Sequence, residues 1–272
     1  MQASLAFAFH FDRAIIEELD LIQRLLALPL GSRSVQDFIK VQTYMPLATG
    51  RLKKPARFNW SRLQRTVGQG DVILFGLGTE AERSDPEKIE IRLRCIAPAN
   101  RALTEMDLHL PYGYQGHLSL GAAVLAGCSD ADGLVATVFE QFVVHIGLAA
   151  GVVVAAPSHS EAVGVAICSG GMPGTELDAR TGRLWGARRT WGPYAREPEW
   201  GTFLQRRHAD AIGGPAAIRA AVEPFAVLEA GDIVYVQLTP YADALSPAAE
   251  AKRVALEALM QPILGAPSSR AP

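Results

Sequence analysis

Ser158-His159-Ser160-Glu161 places hydroxyls, an imidazole and a carboxylate in four consecutive residues. A Ser–His–acid catalytic set needs a base that reaches the nucleophile and a third group that orients the base. Neighbours along an extended chain point to opposite faces, so this run cannot form the set alone. His159 and Glu161 can share a face and contact a metal weakly; the plainer alternative is a polar loop. Downstream, Cys168-Ser169-Gly170-Gly171 resembles a nucleophile on a tight turn, but G-x-S-x-G is not there. A hydrolase would therefore need a site assembled from loops around His159, Glu161 and Ser169. None of the six histidines falls in H-E-x-x-H or in an i, i+4 pair, and the cysteines (Cys95, Cys128, Cys168) lie far apart. Gly76-Leu77-Gly78 lacks the third glycine of a dinucleotide fingerprint and the helix behind it. No cofactor, no metal and no catalytic residue is expected.

The elements that must carry these groups are legible in part. Leu5, Phe7, Phe9 and Phe11 alternate with smaller or polar residues, which predicts a strand with one aromatic face. Helical spacing of Ile15, Ile16, Leu19, Ile22, Leu25 and Leu26 predicts a helix over 13–27. Strands are expected at 38–42, 72–75, 89–95, 106–110, 118–124, 152–155 and 162–167. Charges at Glu90, Arg92 and Arg94 are expected on the outer face. Asp130 or Asp132 caps a deeply packed helix carrying Leu134, Val138, Phe142 and Ile146. Glu197-Pro198-Glu199 opens a short helix that Gly213-Gly214 stops, and a second helix runs from Pro215 to about Val222. A hairpin over 226–238 and a helix capped by Ser246-Pro247 complete the chain, with a disordered tail after Gly265. Helices and strands do not alternate regularly. The expected fold is α+β, with mixed, mainly antiparallel sheets flanked by helices. Its two halves, 1–128 and 129–265, pack as one unit before a tail at 266–272.

The chain has 272 residues, 49% hydrophobic and 20% charged, with a net charge of −2. That composition is globular and gives no overall pull toward nucleic acid. The basic run Arg51–Arg57, followed by Phe58 and Trp60, is read as a solvated loop. No stretch is long and apolar enough to span a bilayer, and the N-terminus lacks a signal-peptide pattern. Few, odd and scattered cysteines fit a reducing compartment. A cytoplasmic protein is expected, without direct nucleic-acid or membrane contact.

The most distinctive stretch is Trp185–Gly214, which holds three of the four tryptophans, Tyr194, Phe203 and interleaved arginines. Trp191-Gly192-Pro193-Tyr194, Trp200-Gly201-Thr202-Phe203-Leu204, Gly213-Gly214 and the strand Ile233–Thr239 resemble the immunity proteins of bacterial polymorphic toxin and type VI secretion systems. The resemblance covers the second half of the chain. It implies a non-enzyme that binds a cognate toxin, of nuclease type, and occludes its active site. Trp191, Tyr194 and Trp200 would be aromatic anchors. An acidic face at Glu80, Glu82, Asp85 and Glu87 would complement a basic groove on the toxin. The same rings also serve the plainer purpose of filling a core edge.

Overall fold

The structure, a computed structural model, describes residues 2–11, 19–46, 49, 51–68, 72–80, 85–95, 114–146, 148–168, 195 and 197–264. In chain order the elements are β1 (Ser4–Phe11), α1 (Leu19–Ala27), β2 (Pro29–Leu30), β3 (Arg33–Ser34), α2 (Val35–Phe38), β4 (Val41–Pro46), β5 (Ala56–Arg57), α3 (Trp60–Gly68), β6 (Val72–Gly78), β7 (Ile89–Cys95) and β8 (Tyr114–Leu120). Then follow α4 (Ala122–Ala126), α5 (Ala131–Gln141), β9 (Leu148–Ala156), α6 (His159–Cys168), β10 (Gly201–Gln205), α7 (Arg206–Ala211), α8 (Gly214–Val222), β11 (Ala226–Ala230), β12 (Ile233–Gln237) and α9 (Pro247–Met260).

Ten strands form one sheet in the order β11-β12-β10-β9-β1-β8-β7-β6-β4-β5, and every ladder in it is antiparallel. The α+β class is thus realised on a single large antiparallel sheet. β1 is its pivot: it pairs with β8 on one side and with β9 on the other, joining strands from the two halves of the chain.

The alternation in β1 separates two faces. Leu5, Phe7 and Phe9 enter the main core, together with Ile22 and Leu25 of α1 and with Val138 and Phe139 of α5. Ala6 and Ala8 face the other way and pack with Val152, Val154 and Ala156 under Ala162 and Ala166 of α6. Small residues there let a helix lie close to the sheet. On the main face the rings run in series. Phe9 meets Phe142 at 5.2 Å and Phe203 at 6.2 Å; Phe203 meets Tyr235 at 4.8 Å and Phe139 at 6.2 Å.

Four expectations are corrected. The strand expected at 162–167 is helix α6: a short apolar run does not declare its period, and Ser158 supplies a helix start. The helix expected from Glu197 begins only at Arg206, because Gly201–Gln205 is a strand buried on both faces, where apolar residues need not alternate. Residues 118–124 divide into the end of β8 and α4, and the strand placed at 38–42 starts at Val41, after α2. Residues 12–18, the expected strand at 106–110 and the tail after Gly265 lie outside the described residues.

Gly201 is fixed by packing. A β-carbon there would stand 2.7 Å from the Tyr235 hydroxyl and 2.9 Å from Val153 Cβ. Gly201→Ala therefore forces two buried neighbours apart and should lower stability by about 1–3 kcal/mol. Urea unfolding of the variant checks this; an unchanged midpoint would show that the contact is not tight.

Candidate functional site

The run Ser158–Glu161 starts a helix. Ser158 Oγ accepts from the Glu161 backbone N–H at 3.2 Å and donates to the Glu161 carboxylate at 3.1 Å. This is the S-x-x-E arrangement that satisfies free amides at a helix start. Glu161 stays exposed, while His159 is buried at 2% exposure. Ser169 lies outside the described residues.

His159 instead meets a serine that its own neighbourhood does not contain. Its Nε2 is 2.8 Å from Ser119 Oγ on β8. Ser119 Oγ also lies 3.3 Å from the Glu90 carbonyl, to which its hydroxyl can donate. Ser119 has no exposed surface. The pair therefore pins α6 to the sheet.

Strand register extends this polar strip. Glu90 opposes Ser119, and Arg92 opposes His117. His117 is buried at 6% exposure, and its Nε2 stands 4.0 Å from Glu90 Oε2. That distance makes an ion-pair neighbour, not a hydrogen bond. The direct partner is Arg92 Nε, which contacts Glu90 Oε1. The strand pattern puts Glu90 outside with the other charges; in the fold its side chain is 15% exposed because α6 covers this face. Burial raises the Glu90 pKa, but His117 and Arg92 outweigh it and hold the carboxyl down to about 2. The alternation Gly116-His117-Leu118-Ser119 signals two polar groups on one strand face. Only the fold reveals that a helix closes over them.

In the second half, Trp200 is 4% exposed. Its Nε1 donates to Thr239 Oγ1 at 3.1 Å, and its ring meets Tyr241 edge-on at 6.5 Å. It forms the inner wall of a cavity of about 190 Å³, with Glu199, Leu238, Leu245 and Arg253 among the lining residues. Glu250 and Glu257 both bond Arg253, at 2.8 and 3.0 Å, and this pairing pushes its pKa up. The glycines of the Gly213-Gly214 pair both take positive φ, +94° and +76°, at the junction of α7 and α8. The described part of the distinctive stretch thus reads as core and turn chemistry. Trp191 and Tyr194 lie outside the described residues.

On the acidic side, Glu80 and Glu87 stand exposed at the two ends of the connection from β6 to β7. Glu82 lies outside the described residues, as does the side chain of Asp85. Trp200 leads into β10, which lies four strands from β7 in the sheet, so Glu80 and Glu87 do not stand beside it. Cys128 is half-buried, and burial raises its thiol pKa. Among the described residues, no His, Cys, Asp and Glu gather into a metal-binding group, and no helix is long and apolar enough to cross a membrane.

No protein family and no curated protein matches the sequence. Among solved structures, the Pseudomonas aeruginosa T6SS protein PA0821 is similar to this chain with a TM-score of 0.63. The two are 13% identical, and the similarity covers 97% of this chain and 73% of that one. At that identity the likeness is one of fold.

The carboxylate in the polar strip gives a test of the site's electrostatics. A folded-state pKa depressed below the usual 4.5 adds stability above that value, and the gain is lost as pH falls toward 2. Glu90→Gln should cost about 3 kcal/mol at pH 7 and clearly less at pH 3. Urea unfolding at both values checks this; an equal loss at the two would place the effect in packing and not in charge.

Proposed function

We propose that this protein neutralises a secreted toxin by binding it, as an immunity protein of a type VI secretion system. The observation that carries the reading is the fold likeness to a T6SS protein along 97% of the chain. It agrees with the resemblance read from the Trp200–Leu204 and Gly213-Gly214 motifs. Neutralisation of this kind needs a rigid surface and no reacting group. A ten-stranded sheet with a buried aromatic seam supplies such a platform. The toxin is a nuclease in this reading, and the acids at Glu80 and Glu87 meet its basic groove. Trp191 and Tyr194 are the aromatic anchors in this reading, while Trp200, 4% exposed, belongs to the core.

The hydrolase alternative built on His159, Glu161 and Ser169 loses two of its elements to structure: His159 is buried against Ser119, and the Glu161 carboxylate accepts from Ser158, which caps α6. We place the function in binding and in the cytoplasm.

The test is growth of cells that express the protein encoded beside this gene, which is the toxin in this reading. Co-expression of this protein should restore growth. Glu80→Lys with Glu87→Lys should weaken rescue at least tenfold in plated survivors while leaving the fold intact by circular dichroism. Failure of the unaltered protein to rescue would overturn the reading. Full rescue by the double variant would move the docking surface elsewhere.

A further inference from the structure

Between Asp37 and Asp71 the sequence contains no Asp or Glu and seven Lys or Arg. The other nineteen cations and all 28 acids lie elsewhere. A net charge of −2 conceals this asymmetry. The fold then gathers the basic residues on one border. β4 and β5 end the sheet, and α3 follows directly. The run 51–57 is held against β4: Lys53 N–H donates to Tyr44 O at 2.9 Å, Thr43 Oγ1 donates to Lys53 O at 2.8 Å, and Phe58 N–H donates to Lys40 O at 2.8 Å. α3 buries Leu63 and Val67 and turns Arg62 and Arg65 to solvent. Asn59 fixes its start, accepting from the Arg62 backbone N–H at 2.9 Å.

Arg51, Lys53, Lys54, Arg57, Arg62 and Arg65 are all exposed, and among the described residues none forms an ion pair. The arginines of the other border behave differently. Arg206 and Arg219 both pair with Glu229, at 2.8 and 3.4 Å, and Arg253 is held by two glutamates. Edge protection explains part of the contrast, since Lys53, Lys54 and Pro55 leading into a two-residue outer strand discourage strand addition. It does not explain Arg62 and Arg65, which stand on a helix.

We infer that this border binds the phosphate backbone of nucleic acid, without reading sequence. Three partner classes present dense negative charge, and the surface selects among them. A protein interface needs buried apolar or aromatic anchors, and its core is poor in lysine. Here Phe58 and Trp60 are partly buried against the core, and Leu52 is the large apolar side chain that protrudes, at 53% exposure. Stable docking on a membrane takes a substantial apolar insertion beside the basic cluster, and one leucine does not provide it. Phosphate contacts need only Lys, Arg and short polar donors, and Ser61 and Gln64 lie exposed beside the arginines of α3. Net charge leads to the expectation of no nucleic-acid contact; the distribution of charge points the other way. This inference is independent of the toxin reading.

The experiment is fluorescence anisotropy of the full chain with a labelled DNA duplex of random sequence, at about 50 and about 200 mM salt. Saturable binding is expected that weakens between the two by roughly 40-fold for three phosphate contacts and about 10³-fold for six. Two variants divide the surface: Arg51→Gln/Lys53→Gln/Lys54→Gln, and Arg62→Gln/Arg65→Gln. All five positions are exposed, so both should fold, and each should weaken binding at least tenfold and flatten the salt slope. Arg24→Gln on α1 should leave it unchanged. No saturable binding at low salt, or binding that both border variants retain, would overturn the inference. So would equal affinity for phosphatidylserine vesicles or for poly-glutamate, which would show a general polyanion surface.

Discussion

Phe203 stands where the molecule is joined. Its ring lies between Tyr235 of the neighbouring strand, Phe9 of the central strand and Phe139 of the helix above them. β1 is hydrogen-bonded to strands from both parts of the chain, but hydrogen bonds alone do not hold a ten-stranded antiparallel sheet to its helices. The ring series gives that contact its apolar area and its geometry. Tyr235 is fully buried, and burial pushes its hydroxyl pKa well above 10, so the ring stays neutral at any physiological pH. The hydroxyl meets Gln237, and Gln237 and the Tyr241 backbone both bond Asp132 in the first turn of α5. Gly201 leaves room for that hydroxyl. One aromatic contact thus dictates a glycine, a glutamine and an aspartate around it.

Much of this was legible before the fold was known. The alternation in Ser4–Phe11 separates the aromatic and alanine faces, and Asp130, Ser246 and Pro247 mark helix starts where the structure has them. The failures share a cause. Strand β10 and helix α6 are both short and apolar on more than one side, so neither shows a period. A single sequence then gives only turn and cap signals. In α6 the cap signal was present: Ser158 and Glu161 are three residues apart because they close a helix end. Their types suggested chemistry; their spacing was that of a cap.

The candidate site was less legible, for a geometric reason. Register across β7 and β8, together with a helix from the other half of the chain, sets Glu90, His117, Ser119 and His159 side by side. No local pattern encodes a contact between residues 119 and 159. The basic border failed to stand out for a different reason. Its charges were visible, but net charge averaged them against acids placed elsewhere, and only the sheet order shows that they share an edge.

Complex formation addresses the proposed binding role most directly. Purified full-length protein would be mixed with a catalytically inactive form of the protein encoded beside it, the toxin in the proposed reading, then analysed by size-exclusion chromatography with light scattering. A stable stoichiometric complex is the predicted result. Two separate peaks, with the neighbour well folded, would contradict the neutralising role and leave the basic border as the surface with a stated ligand.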